Sequence, residues 1–235
     1  MRQISWWDRA CDELKDRDPV MTALVDRHRS ERLRGSGDAF RTLINAIVGQ
    51  QISVAAADAI WRRLTDVHPE FSPDSLAEAN VSELRAVGLS TQKAISVRGI
   101  AQAFVDGAVD PESWHNRTDS DVHAELTALR GVGPWTADML LIFHLHRPDV
   151  LPLGDIGLVN AAARLYGFDQ EPLDHARSSG EAASSASLAA KRAASRARLE
   201  ARKAWLRQHA ERWRPWRTVA TWYIWRDLDV EPVVY

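Results

Sequence analysis

The stretch LRGVGPWTADM, Leu129 to Met139, limits the possible folds more than any other part of this chain. Two glycines one residue apart, then a proline, interrupt sequence that is helical on both sides. Val122, Leu126 and Leu129 form the stripe that enters it, and Thr136, Ala137, Leu140, Leu141 and His144 continue beyond it. Gly131 and Gly133 permit positive φ and the close approach of another chain. Pro134 suits the first position of a new helix. The reading is helix, tight turn, helix. The second helix then starts with outward-pointing amides at the positive end of its dipole. That is a site for an anion, and glycines let a phosphate reach it. An ordinary αα-hairpin would use the same residues.

The remaining sequence is helical nearly throughout. Phe40, Leu43, Ile44 and Ile47 follow one helical face, and Gly49 ends that helix. Ser53 is a good N-cap for the next, with Val54, Ala57, Ile60, Trp61 and Leu64 inward. Ser72-Pro73 reads as a cap plus a first-turn proline, and Ser82 and Ser90 read as caps of two further helices. Strand alternation is nearly absent, so the fold class is all-α. Residues 178–204 depart from the pattern: Ala/Ser/Arg-rich and poor in large apolar groups, they read as a mobile insertion whose second half is a charged helix. Four tryptophans, Trp213, Trp216, Trp222 and Trp225, follow within 13 positions, and most of them should be core.

At 235 residues and 45% hydrophobic, the chain can build one domain or two lobes. The single cysteine, Cys11, excludes a disulfide framework and a cysteine-bound iron–sulfur cluster. No apolar run reaches the ~20 residues of a membrane span, and the charged N-terminus is no secretory signal. A cytoplasmic protein without membrane contact is expected. Net charge is −2, but residues 191–217 carry ten Lys/Arg against Glu200 and Glu211. That segment is +8 on a body of −10, either a DNA-facing surface or a solvated helix.

LRGVGPWTA resembles the hairpin of the helix-hairpin-helix DNA glycosylase superfamily, which shares a hairpin, a Gly/Pro-rich loop and an aspartate. HRPDVLPLGDIGLVNAA follows, with Asp155 where the family places its aspartate. IVGQQIS, Ile47 to Ser53, resembles the junction before the family's wedge. RWRPWRTVATWYIW, Arg212 to Trp225, resembles the C-terminal helix of the alkylation-repair branch, the 3-methyladenine DNA glycosylase II type. The match runs from about residue 36 to 226. Only about 35 residues precede it, so the resemblance implies a form lacking the additional N-terminal domain of some members. It implies two lobes with the active site in the cleft between them: lobe one about 36–146, with the hairpin 129–136, and lobe two about 1–35 plus 147–235, with Asp155.

The resemblance assigns roles. Asp155, also a plausible N-cap of the helix it precedes, would be catalytic: the helix N-terminus favours its anionic form, which stabilises an oxocarbenium-like sugar and orients water. Trp135 occupies the place of the lysine nucleophile of bifunctional members; an indole cannot form a Schiff base. The enzyme should therefore be monofunctional, hydrolysing the bond and leaving an abasic site. Trp135 and Trp225 would line the base pocket with Met139 and Gln50. Stacking on indoles suits a flipped, cationic alkylated purine by roughly 0.5–2 kcal/mol. Gln51 would be the wedge that fills the gap in the duplex, although apolar wedges are common. Backbone amides of Gly131 and Gly133, with Thr136, would hold phosphate. Carbonyls of Thr127, Leu129 and Val132 map onto a monovalent cation site (Na+ or K+); no other cofactor is required. The expected partner is damaged double-stranded DNA, bound by a monomer in base excision repair. Two alternatives stay open: a non-catalytic DNA-binding hairpin module, and a glycosylase of the same fold for neutral lesions such as hypoxanthine or ethenoadenine.

Overall fold

The computed structural model describes residues 4–35, 37–168 and 188–228. Among them are twelve α-helices and no strand, as expected of an all-α chain. They are α1 (Trp7–Arg17), α2 (Pro19–Arg27), α3 (Ala39–Gly49), α4 (Val54–Val67), α5 (Pro73–Glu78), α6 (Val81–Ala86), α7 (Thr91–Val105), α8 (Asp119–Ala128), α9 (Pro134–Phe143), α10 (Ile156–Leu165), α11 (Leu188–His209) and α12 (Arg217–Leu228). None of them is long and apolar enough to cross a membrane. The described residues group into two compact units: Ile4 with 32–152, and 5–31 with 153–168 and 188–228.

Local chemistry sets the helix starts. Ser53 Oγ accepts from Ala56 N at 3.3 Å, Ser72 Oγ from Ser75 N at 3.2 Å and Ser90 Oγ from Lys93 N at 3.3 Å. Each satisfies an amide that the helix cannot pair internally. Ser82 is not a cap. It lies inside α6, which Asn80 caps, with the Glu83 carboxylate accepting from Asn80 N at 3.4 Å. The box of Asn80 and Glu83 outcompetes the serine because it pairs amides at both ends of the turn.

In the first unit, α3 packs on α9 and α7, and α5 and α6 pack on α7. Phe40, Leu43, Ile44 and Ile47 are buried as their spacing requires. On α4 only Leu64 is fully buried; Val54, Ala57, Ile60 and Trp61 are half-buried. The second unit joins α1 and α2 to α10, α11 and α12. Its centre is Asp18, 1% exposed, which caps α2 through Val20 N and accepts from Tyr166 Oη at 2.8 Å and Trp213 Nε1 at 3.0 Å. Trp213, Trp216 and Trp222 are core, and Trp225 is only half-buried. Of the Ala/Ser/Arg-rich stretch, 178–187 lies outside the described residues. The rest is helical, the first part of α11.

Candidate active site

The hairpin is α8, the turn 129–133 and α9. Leu126 O accepts from Leu129 N at 3.0 Å and Leu129 O from Val132 N at 3.1 Å, closing the chain on itself. Gly131 takes φ +86°. A Cβ there would lie 2.1 Å from Ser96 Oγ on α7, so both backbone shape and space demand glycine. Gly133 differs from expectation: its φ is −95°, within reach of any residue, and nothing lies within 4 Å of where its Cβ would be. What its missing side chain leaves is open access to the first turn of α9, which Pro134 starts as expected. The amides of Gly133 and Thr136 make no backbone hydrogen bond among the described residues.

A brace holds this loop from behind. Gln50 caps the C-terminus of α3, and its Nε2 donates to Thr136 Oγ1 at 2.8 Å and Gly131 O at 3.0 Å. Both Nε2 hydrogens are thereby committed to the hairpin, so Gln50 braces the loop, and only its Oε1 is left to meet a base. Lys93 Nζ donates to Val48 O at 2.8 Å and Gln50 O at 2.7 Å. It satisfies carbonyls that the end of α3 leaves without partners. Burial holds the Lys93 ammonium below the ordinary lysine range.

Thr136 is 1% exposed and its hydroxyl faces Gln50, which leaves its backbone amide for the expected phosphate contact. One further expectation needs correcting. Met139 is 1% exposed and presents no surface to a base, because it lies on the buried length of α9. Trp135 is half-buried at the start of α9, its Cη2 4.0 Å from where a side chain at Gly49 would begin. Gln51 is exposed and left-handed at φ +57°, with Ile52, 40% exposed, next to it. The carbonyls of Thr127 and Val132 accept no backbone amide outside the helix ladders, whereas Leu129 O is shared with Val132 N. Neutral carbonyl oxygens of this kind suit an alkali cation.

Asp155 stands in the second unit as the N-cap of α10. Its Oδ1 accepts from Leu158 N at 2.8 Å, which fixes the carboxylate at the positive end of the helix. Gly157 leaves it room: a Cβ there would lie 3.1 Å from Oδ1. Trp225 is on α12, which packs on α10. The match to known families now has its setting. The model of HhH-GPD superfamily base excision DNA repair proteins matches residues 44–182, over half of the chain.

The chain belongs to the HhH-GPD superfamily.

The superfamily match starts in α3 and takes in the Gln50 junction, the hairpin and Asp155. Relatives agree with it. DNA-3-methyladenine glycosylase 1 of Schizosaccharomyces pombe is 28% identical over 88% of this chain and 79% of its own length. DNA-3-methyladenine glycosylase 2 of Escherichia coli is 26% identical over 86% of this chain and 62% of its own. Among solved structures, the S. pombe 3-methyladenine DNA glycosylase in complex with abasic DNA superposes with a TM-score of 0.73 and 26% identity, covering 93% of this chain and 95% of that one. The Bacillus halodurans DNA-3-methyladenine glycosidase gives 0.69 and 26%, over 98% and 94%.

Sequence reasoning did not single out Lys93, Ser96, Gly157 or Asp138 in this HhH-GPD chain. The first two act on residues about 40 positions away, and helical spacing carries no sign of that. Gly157 had a local signal, standing two residues after the capping aspartate. Asp138 lies one turn into α9 with His123 Nε2 at 3.7 Å, and burial pushes its carboxyl up to about 7.

Proposed function

We propose that this HhH-GPD protein is a monofunctional DNA glycosylase that hydrolytically excises alkylated purines of the 3-methyladenine and 7-methylguanine type from duplex DNA. The observation that carries the reading is the pairing of roles in the motif: a fixed carboxylate, Asp155, twenty residues after a half-buried indole, Trp135. The amides at the start of α9 bind a phosphate of the lesion strand, and the flipped base stacks on indole. N-alkylation places a positive charge on the purine. When the N-glycosidic bond breaks, its electron pair returns to the base, which leaves neutral and needs no general acid. The positive charge passes to the sugar, where the Asp155 carboxylate stabilises it and orients a water. The water adds to the anomeric carbon and gives its proton to the Asp155 carboxylate, which passes it to solvent, leaving an abasic site.

Strand cleavage would require an amine nucleophile for a Schiff base. Trp135 supplies none, and the neighbouring Lys93 holds its ammonium on two carbonyls. The carbonyls of Thr127, Leu129 and Val132 would hold a monovalent cation, adding positive charge beside the bound phosphate. Methylated duplex DNA tests the reading directly. The protein should release methylated purines, and Asp155→Asn should lower single-turnover release by about 10²-fold or more while duplex binding survives. Release at the unsubstituted rate would overturn the role of Asp155. Strand nicking trapped by borohydride would overturn the monofunctional assignment. A panel that adds hypoxanthine and ethenoadenine duplexes should show preference for the cationic lesions.

A further inference from the structure

α11 carries seven Lys/Arg and one acid, Glu200, over 22 residues. At 100° per residue, all seven basic side chains fall on the half of the helix that bears Leu188, Leu199 and Leu206. The alanines 190, 193, 194, 197, 201 and 204 fall on the other half. Leu206 is buried, and Arg202 Nη1 donates to Asn160 Oδ1 on α10 at 2.7 Å. The basic half therefore looks the same way as α10.

The direction of the two helices decides what this face is for. Arg202 meets Asn160, and further along Tyr166 meets the ring of His209 at 4.2 Å and of Trp205 at 6.1 Å. Both chains advance together, so α10 and α11 run parallel. Counting back at about 1.5 Å per residue places Arg196 roughly level with Asp155, and Lys191 and Arg192 about 6–8 Å beyond it. This end of α11 is exposed from Leu188 to Arg198. Lys191, Arg192 and Arg196 make no ion pair among the described residues. Three cations without an ion pair among the described residues thus stand, along the helix axis, level with and beyond the end of α10 that holds the carboxylate.

We infer that the exposed basic face of α11 is a second contact for the DNA backbone, flanking the lesion held at Asp155 and separate from the hairpin. The identity of the polyanion rests on the glycosylase reading above. Charge complementarity selects it: duplex DNA is a dense polyanion, with about one phosphate charge per 1.7 Å of its axis, and offers phosphates to each of the three cations. Alanine-rich helix on the opposite half needs no partner, because alanine has the highest intrinsic helix propensity.

The test is the salt dependence of duplex binding by the full chain and by the triple variant Lys191→Ala, Arg192→Ala, Arg196→Ala. Alanine preserves the helix, which circular dichroism and an unchanged Tm verify. The slope of log K against log salt should become shallower by about 2–3, at ~0.9 per lost phosphate contact. Single-turnover base release at saturating enzyme should stay within twofold, and the swap Lys191→Arg, Arg192→Lys, Arg196→Lys should keep the original slope. An unchanged slope in a folded triple variant would overturn the inference and leave the face for an acidic protein. Failure of every form to release methylated bases would instead sink the glycosylase reading, with the slopes still comparable.

Discussion

At Gly131 the backbone turns to φ +86° with Ser96 pressed against it, while at Gly133 it is extended with open space above. The two glycines serve different ends, and substitution separates them. Gly131→Ala should destabilise by about 2 kcal/mol or more, from left-handed strain plus the clash. Ser96→Gly in the same chain should recover part of that loss, since it removes both atoms a new Cβ would strike. Gly133→Ala should leave Tm within a few degrees yet weaken duplex binding, because a methyl group would stand in the open space proposed for the phosphate. Thermal melts and duplex titrations of the three variants check both statements. A Gly131→Ala protein as stable as the parent would contradict the steric argument.

Between elements, the hairpin is held by α3 and α7 as well as by its own turn. Lys93 reaches from α7 to the last carbonyls of α3, and Gln50 reaches from there to the hairpin. Lys93→Met keeps the stem and removes the donors, leaving Val48 O and Gln50 O without their partner. We expect a loss of roughly 1–3 kcal/mol and a weaker grip on DNA through a loosened loop. Lys93→Arg should restore part of both, measured by melting and by duplex affinity; a methionine variant with the parent's Tm would show that the brace is dispensable. This scale also marks how far the sequence can be read. Ser53, Ser72, Ser90 and Asp155 act on amides three residues away, and Pro134 acts through its own fixed φ, so their roles are written locally. Lys93 and Gln50 act across 43 and 81–86 residues, and Asp18 across 148 and 195. Their partners become neighbours only after folding. Gln50 was legible as a site residue yet not as a brace. Met139 sits at a motif position that α9 happens to bury.

Across the whole molecule, ionisation pulls stability in two directions. Burial holds His144 and His209 down at about 4, with neighbouring His115 and Arg212 adding to it respectively. A depressed histidine contributes stability that is present above about 6.5 and is lost as pH falls through about 4. Asp138 acts oppositely: raised to about 7 by burial, it contributes stability below about 4 that is lost as pH rises through 7. Asp138→Asn should therefore raise Tm at pH 8 by several degrees, at roughly 2–4 °C per kcal/mol, and by much less at pH 5. His209→Phe should flatten the decline between pH 6.5 and 4. Melting curves across pH 4–8 for the parent and both variants decide it, and an equal effect of Asp138→Asn at both ends would remove Asp138 from the account.

The hydrogen bond from Leu158 N to Asp155 Oδ1 ties the carboxylate of the proposed mechanism to the folding of α10. Asparagine caps a helix about as well as aspartate does, so Asp155→Asn should take away the carboxylate of the proposed mechanism while the architecture stands.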